Sequence, residues 1–227
     1  MMSHWVPYLG LIIPALLAVI PFNIVAFLWG FRHGNQPMPT EIGLRSQRID
    51  KYAPWLRNGL FLLMVLSLAL YYSVPFSQMG LRFNGWQSNL LIGILASVLQ
   101  LGLQGLAWKL LAVRKIQVED KGALKGSIKQ RVISNLLSVS AEELWMAFCI
   151  ITLKQTGHSS FTSVVLTAAT FAAAHFQYRL GALATGLYGA AFASLFLWRA
   201  SLLPSYLMHY IGNVSALVWA RRSNQTA

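Results

Sequence analysis

The chain has 227 residues, of which 56% are hydrophobic and only 11% charged, with a mean hydropathy of +0.54. A soluble domain carries about 25% charged residues, so this composition excludes an ordinary soluble enzyme and indicates a polytopic membrane protein. The net charge of +12 would suggest nucleic acid in a soluble protein. Here the bases cluster in loops beside apolar runs, which suits anionic lipid headgroups, and no nucleic-acid partner is expected.

Seven apolar segments follow in chain order, near Trp5–Gly30, Trp55–Val74, Trp86–Val113, Ser127–Leu153, Phe161–Phe176, Leu180–Trp198 and Leu203–Ala220. The expected fold is all-α, a transmembrane helix bundle of about seven spans. The first run is too long for a signal h-region and has no basic segment before it, so it reads as a retained span. Its prolines, Pro7, Pro14 and Pro21, each remove one helical hydrogen bond and bend the helix. Phe31–Pro54 reads as a polar basic loop broken by Gly34, Pro37, Pro39 and Pro54. The charged stretch Arg114–Lys125 reads as a boundary. It divides a scaffold of three spans, residues 1–126, from a functional unit of four spans, residues 127–222.

Most of the lysines and arginines fall in loops on one side if the amino terminus lies outside. Only Arg82, Lys154 and Arg199 then face outward. This asymmetry predicts an integral membrane protein with its amino terminus outside and its carboxy terminus cytosolic; the membrane expected is a bacterial cytoplasmic membrane. In the sixth run Ala182, Gly186, Ala190 and Ser194 recur every four residues, a pattern suited to close helix contact. Cys149 has no disulfide partner in the chain and reads as a packing residue.

The chain has six acidic residues. Four of them (Glu41, Asp50, Glu119 and Asp120) fall in segments read as loops, but Glu142 and Glu143 sit together inside the fourth apolar run. Ionisable groups there are costly and mark a functional site. The two lie about 100° apart around a helix, so they are not expected to point into one pocket together. The fifth run ends FAAAHF, with Phe171 and His175 one turn apart. The seventh holds HYIGN, with His209 and Asn213 one turn apart. Polar groups on three apolar helices satisfy one another best by meeting at a common point. Such a set suits a water-activating base with proton carriers and an amide donor. A proton relay or a zinc ligand set remains compatible with the residue types, although the chain has no HExxH to specify zinc.

In this order the motifs resemble the CAAX-protease and bacteriocin-processing family of intramembrane glutamate endopeptidases, whose pattern is EExxxR, FxxxH and HxxxN. The resemblance covers about Val139–Asn213 and implies a CAAX-protease-like core in the last four spans, with no metal and no cofactor. It implies that Glu142 and His175 activate a water that attacks a peptide carbonyl, and that His209 and Asn213 hold the oxyanion. Glu143 and Phe171 would support them. The substrate implied is a membrane protein or a lipidated peptide. The position of the family arginine is Ala147 here, and Arg179, one turn beyond His175, is the expected substitute. Without that arginine a non-catalytic scaffold, a partner within a protein complex, is the alternative.

Overall fold

The computed structural model describes residues 8–12, 32–33, 40–113, 128–175 and 180–225. Among them the regular structure is helical: α1 (Thr40–Tyr71), α2 (Trp86–Val113), α3 (Ile128–Gln155), α4 (Ser160–Ala174), α5 (Leu180–Arg199) and α6 (Leu202–Gln225). Among the described residues three stretches are long and apolar enough to cross a membrane, Trp86–Ala107, Val132–Gln155 and Gly181–Arg199. The chain is a helical membrane bundle.

The clearest physical sign of lipid is the polarity of α2. Its buried polar positions are Asn89, Ser97 and Gln100, with Gly93 between them, while Leu91, Leu95, Leu99 and Leu106 are each more than half exposed. In water such a helix would be inside out. Beside hydrocarbon the leucines are in their preferred solvent, while Ser97 donates to the Gly93 carbonyl and Asn89 accepts from Arg199 inside the protein.

Helix α3 is the centre of the bundle. Every residue from Glu143 to Ile150 is buried, the mark of a helix enclosed on all sides. It packs against α1, α4, α5 and α6. The amino-terminal segment reaches it too. The Trp145 indole Nε1–H donates to the Gly10 carbonyl at 2.6 Å, and a Cβ on Gly10 would come within 3.0 Å of the Phe148 ring.

Two sequence expectations change at this level, and two others fall largely or wholly outside the described residues. Residues 40–54, read as loop, are helical and continuous with the apolar part of α1. Pro54 lies inside that helix. It removes only the bond to the Asp50 carbonyl, a loss that a long helix tolerates when the rest of its ladder is intact. The first span falls mostly outside the described residues, as does the stretch Arg114–Lys125. In α5 the close contact with α4 runs through Gly186 and Gly189, where added Cβ atoms would meet Ala172 and Phe171 at 2.9 and 2.8 Å, whereas Ser194 is exposed. Steps of four residues drift 40° per turn around a helix, so the row of small residues leaves the interface before its end.

At one end of the bundle the connections lock together. Gly80, at φ +83°, lies flat against the α5–α6 junction, and its carbonyl accepts from Leu202 N–H at 3.1 Å. Arg199 Nε–H donates to Asn89 Oδ1 at 2.9 Å, tying the end of α5 to the start of α2.

Candidate active site

The site is built on α3 and α6. Glu143, 2% exposed, accepts a 2.9 Å hydrogen bond from His209 Nδ1–H. Glu142 Oε2 lies 3.5 Å from the other ring nitrogen of the same histidine, Nε2. The two carboxylates therefore converge on one imidazole from opposite sides. The expectation that adjacent glutamates diverge fails, because a ring with nitrogens on two edges spans the angle between them. Glu142 keeps 18% side-chain exposure, so it is the carboxylate that water reaches more readily. Ser138, one turn earlier on α3, donates its hydroxyl to Glu142 Oε1 at 2.8 Å.

Helix α4 contributes the next layer. Ser159 caps its start, accepting from Thr162 N–H, and His175 follows its last residue as the C-cap. His175 Nδ1 lies 2.8 Å from the Phe171 carbonyl. A carbonyl can only accept, so Nδ1 is the donor in this contact. Phe171 joins the two histidines. Its ring centroid is 4.6 Å from that of His175 and 5.7 Å from that of His209. Trp145 stacks on Phe171 at 6.3 Å, and Phe192 from α5 stacks on the His209 ring at 4.5 Å. The histidines are thus held by aromatic walls, which fix ring orientation and keep the surroundings apolar.

Asn213 lies one turn beyond His209. Its Nδ2–H donates to Asn135 Oδ1 on α3 at 3.4 Å. Glu142, Glu143, His209 and Asn213 therefore share the α3–α6 seam, with Phe171 and His175 beside it. Arg179 lies outside the described residues. Ala147 is fully buried in the core and supplies no charge. Among the described residues no group of three or more His, Cys, Asp or Glu side chains is arranged to hold a metal ion.

Residues 126–215 match the Rce1-like family model. The family is described as type II CAAX prenyl endopeptidase Rce1-like, in agreement with the kinship read from the three motifs. No curated protein and no solved structure matches the chain. The Rce1-like segment contains all of α3, α4 and α5, and α6 as far as Ser215. Every glutamate, histidine and asparagine of the seam lies within it.

Two polar partners in the Rce1-like segment were not singled out as site residues from the sequence. Ser138 stands four residues before Glu142, the spacing at which side chains on one helix meet. Asn135 stands a turn before Ser138, so Asn135, Ser138 and Glu142 form one polar column facing Asn213 and His209. The spacing was visible, but serine and asparagine are common on membrane helices as packing groups, and nothing local distinguishes these two from Ser140, which bonds only to its own helix at Leu136.

Proposed function

We propose that the chain is an intramembrane endopeptidase that hydrolyses a peptide bond near the membrane surface with a glutamate-activated water. The observation that carries this reading is the clasp of His209 by Glu142 and Glu143 inside an Rce1-like segment. The unequal burial of the two carboxylates supports a division of roles. Glu142, partly exposed and oriented by Ser138, takes the proton of the attacking water. His175 shares that task. Glu143, sealed, fixes the ring of His209 through Nδ1. His209 accepts that proton from Glu142 at Nε2, 3.5 Å away, and presents the resulting N–H, with the Asn213 amide, to the oxyanion that forms as water adds to the carbonyl. It then gives the proton to the departing amine as the C–N bond breaks. Preorganised donors of this kind contribute about 3–4 kcal/mol each.

The substrate in this reading is a membrane protein or a lipidated peptide. Residues 1–126 act as scaffold and residues 127–222 as the catalytic unit, in a bacterial cytoplasmic membrane with the amino terminus outside. Anionic lipids meet the basic loops of the cytosolic face. Neither a metal nor a cofactor takes part.

The test works whatever the substrate is. New protein termini are catalogued in membranes from cells making the native chain, Glu142→Gln or His175→Ala at equal levels. The expected result is a set of termini present with the native chain and lost in both variants. Identical termini in all three would overturn the reading.

Ala147 favours a second reading, a scaffold that binds a membrane partner without cutting it. The motif position that carries a cation in the resembled family holds a buried methyl group here. In that case the native chain and Glu142→Gln co-purify with the same partner and support growth equally.

A further inference from the structure

We propose that a cleft at the end of the bundle remote from the amino terminus of α3 binds the headgroup of an anionic phospholipid. The cleft has a volume of about 380 Å³ and lies between the connection 72–85 and the ends of α3 and α5. Its polar rim is Gln78, Arg82, Lys154 and Gln155, and Ile151 and Phe196 belong to its apolar wall. The rim is organised: Arg82 Nε–H donates to the Ser77 carbonyl at 2.6 Å, and Gln155 Nε2–H lies 3.5 Å from Gln78 Oε1.

Charge selects the ligand. Arg82, Lys154 and Arg199 gather at this end, and among the described residues it carries no carboxylate. Of the six acidic residues, Glu142 and Glu143 are engaged with His209. Glu41 and Asp50 belong to the opposite end of α1, and Glu119 and Asp120 lie outside the described residues. No carboxylate among the described residues therefore neutralises this cleft. A guanidinium beside an ammonium suits a phosphate monoanion.

The level in the membrane selects a lipid over a soluble anion. Tyr71, Phe83, Trp86, Phe161 and Trp198 are all exposed at this same end. Exposed aromatic rings concentrate at the headgroup level of a bilayer. The Trp198 ring also lies beneath the Arg199 guanidinium at 5.4 Å. Two cations above an apolar wall at that level match a phospholipid, with its phosphate on Arg82 and Lys154 and its acyl chains along Ile151 and Phe196.

The proposal is independent of hydrolysis and is tested on the full chain in detergent by native mass spectrometry. Phosphatidylglycerol is titrated against phosphatidylcholine, and the native chain is compared with Arg82→Gln/Lys154→Gln and with Lys154→Gln alone. The tightest phosphatidylglycerol adduct is expected to form about tenfold more strongly than the phosphatidylcholine adduct, to weaken in the single variant and to lose its preference in the double variant. An Arg45→Gln/Arg48→Gln chain should retain it. Equal binding of the two lipids by the native chain would overturn the proposal, as would an undiminished preference in the double variant. Displacement of phosphatidylglycerol by an equal concentration of glycerol 3-phosphate would reduce the cleft to a soluble-anion site and overturn it as well.

Discussion

At the scale of single residues, His209 bears the heaviest load. It is 4% exposed, and both of its ring nitrogens face carboxylates. Removing the ring leaves Glu143 buried without a partner, and breaking a buried pair in this way costs about 3–5 kcal/mol. His209→Ala is therefore expected to lower the unfolding midpoint in detergent strongly. Glu142→Gln should barely move it, since an amide in that partly exposed position still accepts the Ser138 hydroxyl. Equal stability losses in the two variants would contradict the division between a sealed and an accessible carboxylate. Much of this constellation was legible in the sequence, because a carboxylate pair in an apolar run is conspicuous wherever it falls. That both glutamates reach the same ring was not legible. It depends on the position of α6 relative to α3, which no periodicity in either helix specifies.

At the scale of elements, the seam depends on a helix outside the Rce1-like segment. Gly212 lies between His209 and Asn213, and a Cβ there would collide with the Gln100 carboxamide of α2. Gln100 is 3% exposed, so its side chain has little room to retreat. Gly212→Ala is expected to destabilise by about 1–3 kcal/mol through overpacking. Gln100→Ala in the same chain should restore most of the loss, and the double-variant cycle measured by denaturant unfolding checks this coupling. Additive losses would mean that Gly212 is needed for some other reason. The extents of α3 to α6 could be read from the sequence to within a few residues, because apolar runs bounded by polar breaks are visible directly. The start of α1 could not, because prolines and arginines between residues 37 and 54 resemble a loop by composition. Helix there is decided by continuity with the apolar turns that follow.

At the scale of the whole molecule, α2 packs along α6, so the proposed scaffold and the proposed catalytic unit are joined along a helix face. The clasp across α3 and α6 then has a consequence for how the protein is made. Glu143 and His209 are 66 residues apart in the chain. At a synthesis rate of about 5–20 residues per second the glutamates emerge ~3–13 s before their partner. During that interval α3 has no imidazole to shield its carboxylates, and lipid is a poor place to wait. A chain stopped after Arg199 should leave α3 outside its buried setting, with Cys149 open to a water-soluble maleimide. The same truncation with both glutamates changed to glutamine should protect that thiol again. A helix that leaves the ribosome well after the central one is therefore what allows the central helix to settle, and the order of synthesis runs against the order of burial.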